Sequence, residues 1–166
     1  MKPRTFTRRA PQVREAAPVV MPPRRPTSAD LLQRRVEAIV STFAEARGHA
    51  LDPQGCDLSR LIGGPVLDAH RTISTRDILG VVERARIVPE GLWAQMRFRD
   101  TDAAMAVLTS IQDGILRGVS LGYSVQRWGQ QRQGNRTRRI ALRWTPLEVS
   151  VVPLPADAGA TFRSRG

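Results

Sequence analysis

Apolar and polar positions along this chain fall mostly into short runs, and those runs predict strands. VEAIVSTFA, residues 36 to 44, is the first convincing β-branched segment. It follows SADLLQRR, which predicts a short helix capped by Ser28. Residues 45 to 65 read as loops with one helical turn. ILGVVERARIV (78 to 88), the turn PEG and LWAQMRFR (92 to 99) together predict an antiparallel hairpin. The period then changes. In DTDAAMAVLTSIQDGIL, Ala104, Leu108, Ile111 and Ile115 recur at helical spacing behind Asp100 as N-cap, with Gly114 or Gly118 as the stop. VSLGYSVQRW (119 to 128) resumes strand character, GQQRQGNRTRR reads as a polar loop, and IALRW (140 to 144) and LEVSVV (147 to 152) close the pattern. Many short strands and one internal helix predict a mainly β, α+β domain built as a small antiparallel barrel or sandwich.

Composition sharpens the boundaries. The 166 residues make about one domain, and a hydrophobic share of 41% suits a packed core. Residues 1 to 30 combine Pro and Arg with few large apolar side chains, so they bury too little surface to offset ordering entropy and are expected to be a disordered basic tail, leaving 31 to 166 as the folded domain. The net charge of +11 would suggest a nucleic-acid partner if it were spread over the fold. It is not. Residues 1 to 35 hold nine Lys/Arg against Glu15 and Asp30, and 127 to 143 hold six Arg and no acid, while the rest is close to neutral. Nucleic-acid contact is therefore an expectation for the tail and that loop only. One cysteine, Cys56, excludes an internal disulfide, and no Cys/His spacing suits zinc. No stretch is apolar for the ~18 residues a membrane span requires, and the basic N-terminus lacks the apolar run of a signal peptide, so a soluble intracellular protein is expected.

P-loop, GxGxxG and HExxH motifs are all missing, and no cofactor or metal is expected. The remaining chemistry is nucleophilic: a hydroxyl, a base in reach and a group that orients the base. His49, in EARGHALD, reads as a solvated loop residue. His70 ends PVLDAH behind the buried-looking pair Val66-Leu67, where a rigid element can hold its ring. Ser120 stands between Gly118 and Gly122 at a helix-to-strand junction, which small neighbours leave open to a substrate or to close packing. Glu148 interrupts an apolar strand and faces either solvent or a buried base. Taken singly, each of the three has an ordinary structural explanation.

Taken in order they resemble one family. GGPVLDAHRTISTRDILGVVERARI, DGILRGVSLGYSVQRW and WTPLEVSVVPLPADAGA are similar to blocks of the prohead (capsid maturation) proteases of tailed bacteriophages, related to the herpesvirus assemblins, and the similarity runs from about Val36 to Ala160. It implies a serine endopeptidase on a small β-barrel flanked by helices, with Ser120 as nucleophile and His70 as general base. Herpesvirus relatives use a second His as third member, and no His follows His70 here. Glu148 is the expected substitute, with Asp68 and Asp157 as alternatives. Backbone N–H groups must also receive the developing oxyanion, worth ~3 to 4 kcal/mol per donor, and PLPADAG is the expected source of one. The implied partners are the major capsid protein precursor and a scaffold segment, with self-cleavage, a dimer or other homo-oligomer, and action inside the assembling prohead in the host cytoplasm. A non-catalytic capsid-assembly module with the same barrel, and a nucleic-acid-binding protein, are the alternatives.

Overall fold

The computed structural model describes residues 32 to 163. The basic tail and most of the helix expected around Ser28 lie outside the described residues. Eight strands form one sheet: β1 (Arg35–Ser41), β2 (His49–Leu51), β3 (Pro65–Asp68), β4 (Ile78–Val88), β5 (Gly91–Phe98), β6 (Gly118–Gln133), β7 (Arg136–Val152) and β8 (Thr161–Arg163). One α-helix is described, α1 (Asp102–Gln112), together with short 3-10 turns at Pro53–Gly55, Leu58–Arg60 and Thr75–Asp77. The expected mainly β character stands.

Pairing runs from β7 through β3, β4, β5, β1 and β8 to β6, and β6 pairs again with β7, so the ladder returns to its starting strand. The expectation of a purely antiparallel sheet is corrected at two places: β2 and β3 both lie parallel to β7, at opposite ends of it. β7 has 17 residues, enough to accept both as neighbours on one side. The core between the strands holds Trp144, Phe98, Leu92 and Met96, and Trp144 is fixed by an Nε1–H donated to the Asp52 carbonyl at 2.8 Å.

α1 buries Ala104, Leu108 and Ile111 against the sheet, next to β4 and β5, as its spacing predicts. Burial of Leu108 and Ile111 contributes about 1.5–3 kcal/mol each. Its ends differ from expectation. Thr101, not Asp100, is the N-cap, because Asp100 pairs with Arg34. At the other end Gly114, with φ +70°, turns the chain, so Ile115 falls past the helix and is exposed.

The larger difference is in the hairpin of β6 and β7. The polar segment expected as a loop is regular antiparallel ladder, closed by a tight turn at Gly134 (φ +60°) and Asn135, with Gln133 opposite Arg136. The two strands expected at 140 to 144 and 147 to 152 are one. Pro146 is accommodated because the register shifts beside it, with Gly122 opposite Glu148 and Tyr123 opposite Pro146, leaving Leu147 as the extra residue of a bulge.

Charge is paired across three strands at the other side of the sheet. Glu83 accepts from Arg35 Nε at 2.6 Å and from Arg97 Nε at 2.6 Å, and these hydrogen bonds, Arg35 first, hold its carboxyl down at about 2 against an ordinary 4.5. A carboxylate whose folded value is depressed stabilises the fold above its unfolded value and loses that contribution as pH falls through the folded one. Glu83→Gln is therefore expected to lower the melting temperature at pH 7 but not near pH 2. The difference should shrink between about pH 4.5 and 2 and be worth about 1 kcal/mol at most, since the cluster is solvent-screened. Thermal scans of both proteins across that range check it.

Candidate active site

β3 delivers His70. Its three ladder residues, Val66, Leu67 and Asp68, lie beside Val149, Ser150 and Val151 of β7. The chain then reverses in a turn closed by Arg71 N–H to the Asp68 carbonyl at 2.9 Å, with Ala69 (φ +47°) and His70 (φ +63°) both left-handed. Two consecutive non-glycine residues in that region are strained, and such strain persists only where neighbours hold it. They do: Ala69 N–H donates to the Val151 carbonyl at 3.0 Å and His70 N–H to Ser150 Oγ at 3.0 Å. The turn sends the imidazole back over β7.

There it meets Glu148. His70 Nδ1 lies 2.5 Å from Glu148 Oε1, and Ser150 Oγ donates to Glu148 Oε2 at 2.8 Å. Glu148 is buried on the strand that also carries fully buried Ser150. The other ring nitrogen, His70 Nε2, is buried and has no hydrogen-bond partner among the described residues. Buried polar atoms are normally paired, so an orphan nitrogen on an otherwise anchored ring asks for a partner that arrives with substrate or with a small motion.

Ser120 is on the same face. It sits directly opposite Ser150 in the β6–β7 ladder, and Gly122 sits opposite Glu148. Residues directly opposite in an antiparallel pair share a face, and those two apart on one strand do too. Ser120, Gly122, Glu148 and Ser150 therefore form one cluster. Ser120 also borders a groove lined by Val40, Ala44, Leu51, Leu121 and Tyr123, which His70 does not line. On its side away from β7, β6 pairs with β8 among the described residues at Gly118, with Val119 N–H reaching the Ala160 carbonyl.

Of the two roles expected for the glycines, close packing is the one the structure shows. At Gly122 an added Cβ would land against the Glu148 carboxylate, so the space it leaves is filled by that side chain and not kept for substrate. At Gly118 it would press on the Val152 carbonyl and the Pro155 ring. The alternatives for the third member are placed elsewhere. Asp68 lies near Arg71 and is half exposed, and Asp157 accepts from Thr42 N–H at 2.5 Å, Thr42 Oγ1 at 2.8 Å and Gly159 N–H at 3.0 Å, tying the 153 to 160 loop to the end of β1.

His49 is the clear correction outside the cluster. Expected as a solvated loop residue, it belongs to β2, with Nε2 2.6 Å from Tyr123 Oη and its ring edge-on to Trp128. Its apolar frame comes from β6, about 75 residues later, which local sequence around His49 cannot reveal. Cys56 is a poor nucleophile here, since burial pushes its thiol up to about 12. Among the described residues no cluster of three or more His, Cys, Asp or Glu side chains could hold a metal ion, and no helix is long and apolar enough to cross a membrane.

A histidine anchored on a carboxylate through one nitrogen, unbonded at the other, with a serine on the same sheet face, is the arrangement of side chains that serine hydrolases use. The comparisons carry the class further. Over residues 67–165 the sequence matches the Caudovirus prohead serine protease family, and the chain belongs to it. Membership points to a serine peptidase. A stretch of 104 residues, 61% of this chain, is 35% identical to a protein called major capsid protein from Halomonas phage phiHAP-1, and it spans 17% of that protein's length. No solved structure matches.

Proposed function

We propose that the chain is a serine endopeptidase that processes capsid or scaffold protein during prohead maturation, with Ser120 as nucleophile, His70 as general base and Glu148 as the group that orients the base. The observation that carries this reading is the buried, unbonded Nε2 of a His70 ring whose Nδ1 is held by Glu148. With Nδ1–H committed to the carboxylate, Nε2 is the basic nitrogen, and it takes the Ser120 proton as the hydroxyl attacks the scissile carbonyl. The Glu148 charge stabilises the imidazolium that results, and the ring then returns the proton to the leaving amine.

Ser150 is the wrong nucleophile for this site. It is wholly buried and its hydrogen is given to Glu148, whereas Ser120 borders the groove. Beyond Val119 the side of β6 away from β7 has no ladder partner among the described residues and suits an extended substrate chain laid along it, with an apolar side chain in the groove. Of the residues in the 153 to 160 loop that carry an N–H, Ala156 and Asp157 line the groove with Ser120, so an oxyanion donor from the loop would come from one of them. The ring of strand pairings supports the small barrel that the family resemblance implies, with residues 31 to 166 as the protease domain. A capsid protein as substrate is supported by the phage relative, in which the matching stretch lies within a chain called a major capsid protein.

A serine-reactive phosphonate probe tests the assignment directly. Applied to assembling particles, it is expected to modify Ser120, located by peptide mass, and to leave the His70→Ala protein unmodified. Particles in which Ser120 stays unlabelled while the chain is folded would favour a non-catalytic assembly module.

A further inference from the structure

We propose that Ser150 is a positioning residue of this site: its hydroxyl sets both the carboxylate of Glu148 and the backbone of the His70 turn, so that the imidazole is held in one orientation. This rests on the serine-peptidase reading. The geometry is a closed circuit. Ser150 Oγ donates to Glu148 Oε2 at 2.8 Å and accepts from His70 N–H at 3.0 Å, while Glu148 Oε1 meets His70 Nδ1 at 2.5 Å. One hydroxyl thus holds the base twice, through its main chain and through its carboxylate partner.

Each link answers a physical need. A glutamate side chain has three rotatable bonds, and with Oε2 unheld its carboxylate could leave the imidazole. The hydrogen bond from Ser150 removes that freedom, and, being donated to an ionised group, it is of the stronger kind. The second link supports a main chain that would not otherwise stay where it is, since Ala69 and His70 are both left-handed without being glycine. Ser150 itself cannot drift. It is 0% exposed, and it lies beside Leu67 in the β3 ladder and opposite Ser120 in the β6 ladder. A fully buried serine in the apolar run LEVSVV is costly unless both its donor and its acceptor are used, and here both are.

Two substitutions separate the hydroxyl from the packing. Ser150→Ala removes the oxygen, and Ser150→Cys keeps a side chain of similar shape but offers only a weak donor. Proton NMR reads the circuit without any substrate: the His70 Nδ1–H bound to Glu148 gives a strongly downfield signal, assigned by its absence in His70→Ala. Both variants are expected to unfold cooperatively like the wild type, to lose or broaden that signal, and to show kcat lower by about 10- to 100-fold with KM unchanged, the scale of a buried polar partner left unmatched. A Ser150→Ala protein that keeps the signal and the wild-type kcat overturns the proposal. A Ser150→Cys protein that keeps both while Ser150→Ala loses them overturns it too, because packing would then be the role. If Ser150→Ala does not fold, Ser150→Cys decides alone. Should the Ser120→Ala protein still process substrate, the assignment of Ser120 as nucleophile fails, and the NMR signal separately decides whether Ser150 sets the His70–Glu148 pair.

Discussion

Co-expressed with a capsid-protein precursor, the Ser120→Ala protein is expected to leave that precursor at full length, and His70→Ala is expected to do the same. On the proposed roles, loss of either the nucleophile or the base removes the whole covalent route, so the two effects should not add. Each single change should reduce turnover by roughly 10⁴–10⁶-fold, with the double variant no worse than either. Both variants should fold. Ser120 contributes no hydrogen bond to His70, and the His70 turn keeps its main-chain bonds to Ser150 and Val151 whatever the side chain. The measurement is the N-terminal mass of the co-expressed capsid protein, alongside the melting temperature of each variant. Processing by Ser120→Ala at the wild-type rate would remove Ser120 from the mechanism. Processing by His70→Ala alone would leave the serine in place and require another base, for which His49, 2.6 Å from Tyr123 on the same groove, is the only other histidine in the chain.

The parts of the fold visible in the sequence are those in which apolar side chains face a core. β4 spans the expected residues, Ile78–Val88, because its β-branched run is half buried, and α1 buries three of the four expected residues because a helix on a sheet needs one apolar face. The ribbon of β6 and β7 beyond Trp128 shows the opposite case. GQQRQGNRTRR has no apolar alternation because this part of the ribbon is largely exposed, so its strands are specified by pairing with each other and by the turn at Gly134 and Asn135. Composition reads such a segment as a loop.

The site divides in the same way. His70, Ser120 and Glu148 are visible as an ordered set through the family resemblance, and the fold brings His70 onto Glu148 and puts Ser120 on their face. Ser150 gives no signal of its own, since one small residue in a β-branched strand is ordinary until a turn 80 residues earlier is known to donate to it. Asp157 has the reverse history: its motif resembles the family's, yet its carboxylate is occupied with Thr42 and Gly159. In both cases the deciding contact joins residues far apart in the chain, which spacing along one strand does not encode.

Gly122→Ala is expected to abolish most activity while leaving the fold nearly intact, and the reason lies across the strand. Gly122 is opposite Glu148, and its missing Cβ is the space in which the carboxylate lies. A methyl group there meets the far end of a flexible side chain and not main chain, so the side chain yields. What yields is the group that holds His70 Nδ1. The displaced carboxylate would release the ring and leave Ser150 without its acceptor, and loss of the orienting group in a Ser-His-acid site costs about 10⁴-fold in kcat. Glu148→Gln supplies the matched comparison: it keeps the shape, replaces the anion by a neutral amide, and should fall by a similar factor without any clash at Gly122. If steric displacement is the cause, the double variant Gly122→Ala with Glu148→Gln should be no slower than Glu148→Gln alone, because the carboxylate is already gone. Turnover assays of the three variants, with thermal unfolding to confirm that each is folded, test this. A Gly122→Ala protein with wild-type kcat would mean that the carboxylate at Glu148 is not needed where the structure places it, and the orienting role would pass to another acid.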